Sequence, residues 1–298
     1  MPKQPSASQW LDHYTRSPEF AWLRLEPAQV RAELSETEEP DEPKAAYRAI
    51  MRLKAAEFGR VRYGDKTPLH AGQLSRILRD FPEAHVIHVV RDPRATVASM
   101  MRMPWAFSSV GLNSLLCLRC LRKVQPFAHL LLEIRLEDLM GNLEVSLRRV
   151  LDFVGEDWHP AVLDHVNHAP LDDVPPFPWF AAAKRPVSAQ AQMGRPLWLD
   201  QLDPAWVRNI ERLYRVEMER FDYSPASLDR EPSFMDRQRA RITDLPEFYR
   251  SLAHWCRLLR LTRGRVVPDP HKVMATRVRG NPAAWRLYLD FVMPRLPG

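Results

Sequence analysis

The hydrophobic pattern of the chain changes period several times, and each change marks an element. Val86 to Val90 is a short apolar run rich in β-branched residues, the pattern of a strand buried on both faces of a parallel sheet. Asp92 then stands at a helix N-cap and Pro93 at the first helical position, where its missing N–H costs nothing. Ala95, Val97, Ala98, Met100 and Met101 continue as a helix, and Leu132 to Leu136 reads as a second parallel strand. Helical spacing predicts further helices over 42–58, capped by Asp41 and stopped by Gly59, and over 70–80, with Leu74, Ile77 and Leu78 on one face. Others are predicted over 114–131, with Asn113 as cap and Leu115, Leu116, Leu118, Leu121 and Val124 buried, and over 143–154, started by Asn142 and ended by Gly155. The last runs from 204 to 221, and Glu26 to Glu33 reads as a short one. Arg60 to Gly64 suits a strand. Helix–strand–helix–strand–helix predicts an α/β fold, a parallel sheet with helices on both faces.

Outside these elements the pattern loosens. Residues 169–196 are rich in Pro, Ala and Gln, and a long irregular segment in a compact domain usually serves function. Asp236 to Arg265 is Arg-rich, with Leu252, Trp255, Leu258, Leu259 and Leu261, and Ala283 to Met293 is another amphipathic piece. The expected organisation is therefore an α/β domain over 1–225 and a basic helical C-terminal extension over 226–298. Such helices either pack back on the domain, the commoner outcome, or make peripheral contact with an anionic membrane or a partner.

Composition narrows the ligand class. The chain has 298 residues, 45% of them hydrophobic, which is ample for a packed core. A formal net charge of +6 suits an anionic ligand, and with no dominant block of like charge it gives no reason to expect nucleic acid. Three cysteines are too few for a disulfide framework. Cys117-Leu-Arg-Cys120 is a lone pair within a predicted helix, and His159, His165 and His168 lack matching ligands, so no metal is expected. No signal region opens the chain, and no apolar run reaches the roughly 20 residues of a membrane span. A cytoplasmic protein is the expectation.

The chemistry concentrates where the first strand meets its helix. A strand, tight turn and helix aim backbone N–H groups and a positive dipole end beyond the strand tip. Arg91 ends the strand there, Ser99 follows two helical turns later, and Arg94 and Arg102 add positive charge. Such a set makes a phosphate clamp; the alternative is an ordinary βα unit with surface arginines. A second stretch, Gly59-x-x-x-x-Gly64-Asp65-Lys66-Thr67, is nearly a nucleoside-triphosphate loop. Asp65 is one residue too many, and it displaces Lys66, so that reading is set aside.

Three stretches in order carry a family resemblance. Arg91-Asp92-Pro93-Arg94 followed by Ser99 resembles the 3′-phosphate-binding signature of sulfotransferases that use 3′-phosphoadenosine 5′-phosphosulfate. Gly64-Asp65-Lys66-Thr67-Pro68-Leu69-His70 is similar to the motif upstream of it. Arg135-Leu136-Glu137-Asp138-Leu139, with Leu147 to Gly155, resembles the block that follows. The likeness covers roughly residues 41 to 223. It implies a P-loop NTPase-like sulfotransferase fold, with Arg91 and Ser99 on the donor's 3′-phosphate and Lys66 at the transferred sulfuryl group. Ser188 and Arg195 resemble donor contacts of the loop that closes over the nucleotide.

The likeness has gaps. The family's loop for the donor's 5′-phosphosulfate, roughly R-S-G-T-T, has no counterpart here, nor does the acidic base that follows it, so the fold reads as N-terminally truncated. Leu136 replaces the usual Tyr of the third block. The expected function is transfer of a sulfuryl group from the nucleotide donor to a hydroxyl or similar acceptor. The alternative is a catalytically impaired relative acting as a nucleotide-binding or partner-binding module.

Overall fold

The computed structural model describes residues 6–16, 20, 23–37, 42–103, 106–164 and 196–261. The chain divides into two compact units, one built chiefly from residues 1–70 and the other from 71–169 and 176–280.

In the first unit, α1 (Ala7–Tyr14), α2 (Pro27–Ser35) and α3 (Pro43–Glu57) pack on one another. Their core is Leu11, Phe20, Val30, Leu34, Ala46, Ala49 and Ile50. Small alanines on α3 let the other two helices approach closely. Glu42, not Asp41, is the N-cap residue of α3, and Gly59 takes a left-handed φ of 61° just past its end. The strand predicted at Arg60–Gly64 does not form: that segment is irregular and unpaired among the described residues, and Val61 is 99% exposed. Its β propensity found no neighbouring strand, and pairing, not propensity, makes a sheet.

The second unit opens with α4 (Leu74–Asp80), shorter than predicted because Pro68–Gly72 winds as a 3₁₀ turn. Then come β1 (Val86–Val90), α5 (Pro93–Met101), α6 (Val110–Val124), β2 (Leu131–Arg135), α7 (Leu136–Gly141) and α8 (Leu143–Val154). Beyond residue 196 follow α9 (Trp198–Gln201), α10 (Pro204–Leu213), α11 (Arg215–Arg220) and α12 (Phe234–Leu261). β1 and β2 pair in parallel, with Val86 opposite Leu131 and Val90 opposite Arg135. The architecture is the expected α/β arrangement, mostly helical, around a small parallel sheet. β1 is not buried on both faces as its apolar run suggested. Val90 is buried, whereas Ile87 and Val89 are exposed, Val89 by half.

Two further departures have local causes. α6 starts four residues early because Ser109, not Asn113, caps it, its hydroxyl accepting the Leu112 N–H at 3.0 Å. Asn113 is buried instead and donates to the Phe107 carbonyl at 2.7 Å, while Leu115 faces outward. The helix predicted over 204–221 breaks at Tyr214. That residue is buried, and its hydroxyl donates to the Ser114 carbonyl at 2.6 Å. The core of the unit gathers Val90, Val97, Leu118, Trp198, Val207, Ile210, Tyr214 and Met218.

The helix predicted over 236–265 is α12, and it packs back on α6 and α10. Asp244 holds it there. Its carboxylate accepts from the Ser109 hydroxyl at 2.6 Å and from the N–H groups of Val110 and Gly111 at 3.0 and 3.1 Å. A negative group thus sits at the positive end of α6. A pocket of about 250 Å³ remains between these three helices, beside Ser114, Trp206, Asn209 and Phe248. No helix among the described residues is long and apolar enough to cross a membrane. The amphipathic stretch over 283–293 lies outside the described residues.

Candidate functional site

The site begins at the carboxyl ends of β1 and β2. Their register puts Val90 beside Arg135, so Arg91, the next residue, leaves the sheet at the same end as Arg135. In parallel sheets this is the end where ligands bind. The turn that follows is fixed by Asp92. Its carboxylate accepts the Arg94 N–H at 2.8 Å and so caps α5, as the sequence predicted. Its own N–H donates to the Glu137 carboxylate at 3.0 Å.

Arg91 is exposed, and among the described residues its guanidinium has no hydrogen-bond or ion-pair partner. Ser99 is half-buried on α5 with its hydroxyl likewise uncommitted. Arg94 does something different from the expected surface charge. It is 4% exposed, holds Asp92 through two nitrogens, donates to Glu211 at 2.5 Å, and stacks over Trp198 with its guanidinium carbon 4.4 Å from the ring centroid. Glu211 in turn receives Arg208, which also reaches Glu231. The result is a chain of alternating charges running from the site into the body of the unit. Its carboxylates raise the pKa of Arg94 against the opposing effect of burial, so the charge is locked on.

Sequence reasoning missed Glu137 and Arg135 as structural partners. The two Glu137 oxygens take the Asp92 N–H and the Tyr223 hydroxyl, the latter at 2.7 Å. Arg135 lies over the Tyr223 ring at 4.6 Å, and its Nε is buried without an acceptor among the described residues. Burial, helped by the bond to Glu137, pushes the Tyr223 hydroxyl's pKa well above its ordinary range. The third sequence block thus braces the turn of the first. Position within R-L-E-D-L was the available signal; the partners themselves lie 45 and 86 residues away.

Lys66 belongs to the other compact unit. It is exposed, with no hydrogen-bond or ion-pair partner among the described residues. Its neighbour Asp65 gathers polar groups: the Tyr47 hydroxyl donates to it at 3.3 Å, the Thr67 hydroxyl at 3.2 Å, and the His70 Nε2 lies 3.4 Å away. The Tyr47 hydroxyl has a raised pKa, from burial first and then from Asp65. Asp65, the residue that spoils the triphosphate-loop spacing, therefore organises the segment. Thr67 leads into a 3₁₀ turn and not an α-helix, so the strand–loop–helix of a triphosphate site does not form here. Ser188 and Arg195 lie outside the described residues. No cluster of potential metal ligands occurs among the described residues.

The arrangement at the strand tips can bind an anion. It offers the unengaged Arg91 guanidinium at the strand tip and, further along α5, the unengaged Ser99 hydroxyl, beside a helix start that Asp92 caps. That donor set fits a phosphate monoester. No curated protein matches the chain. The sulfotransferase family model matches residues 2–160, taking in the first forty residues that the motifs left outside and every residue of the Arg91 turn. The chain belongs to the sulfotransferase family.

Proposed function

We propose that this protein transfers a sulfuryl group from 3′-phosphoadenosine 5′-phosphosulfate to a hydroxyl or similar acceptor, with Arg91 and Ser99 holding the donor's 3′-phosphate. The observation that carries this reading is the contrast between Arg91 and its neighbours. Arg94 is committed to Asp92 and Glu211, and the Arg135 guanidinium lies over the Tyr223 ring, whereas Arg91, at the carboxyl end of the sheet, has no protein partner among the described residues. A guanidinium and a hydroxyl suit a dianionic phosphate, which accepts from both.

In the transfer the acceptor oxygen attacks sulfur, and the bond from sulfur to the donor's phosphate oxygen breaks. Adenosine 3′,5′-bisphosphate leaves, and the acceptor's proton passes to a base. Charge grows on the bridging oxygen, and Lys66 is the cation proposed to offset it. The base is unassigned; His70, whose Nε2 lies 3.4 Å from Asp65, is a nearby titratable side chain in sequence. Ser188 and Arg195 are proposed as further donor contacts, and residues 1–225 as the transfer machinery. A reducing, cytoplasmic setting accords with Cys117 and Cys120 being free thiols.

Release of adenosine 3′,5′-bisphosphate from the sulfated donor, measured across a panel of hydroxyl acceptors, tests the proposal. Acceptor-dependent release that falls about 100-fold or more in Lys66→Ala supports it. Bisphosphate binding without any release would leave a nucleotide-binding module in place of an enzyme.

A further inference from the structure

α12 packs with an unusual face inward. The side chains it turns toward α6 and α10 include Asp244, Phe248 and the buried Ser251, while Arg241 and Leu245 line the edge of the pocket there and stay exposed. Five of the residues it leaves exposed are large and apolar: Met235 is 71% exposed, Ile242 63% and Tyr249 64%, with Leu245 and Leu252 also exposed. These five recur at steps of seven, three and four, so they form one continuous stripe along roughly 26 Å of helix. None of the described residues covers that stripe.

The charges flanking the stripe identify its partner. At about 100° per residue, Arg239 and Arg250 lie on one side of the stripe and Arg241 on the other, each about 70–110° from its centre. All three are exposed. The helix's described carboxylates are elsewhere. Asp244 is bound to the start of α6, and Asp236 and Glu247 lie, with it, about 130–170° from the stripe centre, Glu247 reaching Arg250 in an exposed i,i+3 pair and leaving Arg239 and Arg241 in no ion pair with a described carboxylate of this helix. An apolar stripe with arginine on either side suits an anionic surface with an apolar layer beneath it. The stems of the arginines lie along the apolar layer while their heads meet the charges. A second copy of the helix would set arginine against arginine along both flanks, with no acidic row to answer them. Residues 262–298 add seven Lys and Arg against two Asp to the same end of the chain.

We propose that α12 docks this protein on an anionic lipid surface, through Met235, Ile242, Leu245, Tyr249 and Leu252 with Arg239, Arg241 and Arg250 at the headgroups. The proposal stands apart from the sulfuryl-transfer reading and uses none of its residues. The test is sedimentation of the full chain with vesicles of phosphatidylcholine alone and with about 30% phosphatidylserine. Wild type is compared with Ile242→Glu/Tyr249→Glu and with Arg239→Glu/Arg250→Glu. All four changes are at exposed positions, and circular dichroism verifies folding. The expected result is at least about tenfold stronger partitioning onto the serine-containing vesicles, falling about tenfold or more in either double variant and weakening with salt. Equal binding to both vesicle types would overturn the proposal, as would binding indifferent to Ile242→Glu/Tyr249→Glu. A concentration-dependent dimer in sedimentation velocity, abolished by the same variant, would instead assign the stripe to a second copy.

Discussion

Glu137 accepts the backbone N–H of Asp92 at 3.0 Å, across 45 residues of chain. This one bond ties the acid of the third sequence block to the turn from which Arg91 projects. The other Glu137 oxygen takes the Tyr223 hydroxyl, so a single carboxylate joins both strand tips to the end of α11. Glu137→Ala orphans two partly buried donors. The expected loss is about 2–4 kcal/mol in denaturant unfolding. Glu137→Gln, which keeps one acceptor oxygen, is expected to lose about half as much.

Arg94 and Arg91 are two residues of one motif with opposite roles. Arg94→Met leaves Asp92 buried without its cation and Glu211 with Arg208 alone, and is expected to cost about 3–5 kcal/mol. Arg91→Ala removes an exposed side chain and is expected to change stability by less than about 0.5 kcal/mol. Thermal melts of the two variants side by side separate the roles. Equal losses would show that Arg91 is part of the scaffold.

Much of this was legible in the sequence where the signals are local. The β-branched run, the Asp cap and the Pro at the first helical position all lie within eight residues, and β1 and α5 formed where they predicted. Arg94 was misread because its partner Glu211 is 117 residues away, and charge alone does not say whether an arginine faces water. Arg60–Gly64 had the composition of a strand, but a strand needs a neighbour that composition does not reveal. For α12 the spacing of apolar residues was visible. Which face packs inward is decided by Asp244 at the start of α6, a contact over more than 130 residues.

The attachment of α12 gives its own expectation. Asp244→Ala removes one acceptor from three donors at the α6 N-terminus, with an expected loss of about 2–4 kcal/mol. Gly111→Ala tests the same joint from the other side. Alanine is ordinarily favoured in a helix, but here its Cβ would stand 2.9 Å from the Asp244 carboxylate and 3.3 Å from the Trp206 ring. Destabilisation, measured by urea unfolding, is expected in place of the usual gain.

Two buried tyrosines and the partly buried Tyr47 set the alkaline limit of the fold. Burial raises the pKa of the Tyr47, Tyr214 and Tyr223 hydroxyls above the ordinary 10.0, because each must stay neutral in place. The unfolded chain releases these protons first as pH rises, so the contribution is whole below about pH 10 and is lost progressively above it. Stability measured from pH 8 to 11 is therefore expected to be flat and then to fall. Tyr214→Phe should be less stable at neutral pH, through loss of the bond to Ser114, yet show a shallower alkaline slope.

The account rests most directly on Arg91 binding a phosphate. Calorimetric titration with adenosine 3′,5′-bisphosphate, on wild type and Arg91→Ala, tests it without needing to know the acceptor. The account predicts micromolar binding by wild type and at least about a tenfold loss in the variant, equivalent to about 1.4 kcal/mol for a charge-assisted contact. Wild-type affinity in Arg91→Ala, or no heat of binding from either protein, would contradict it.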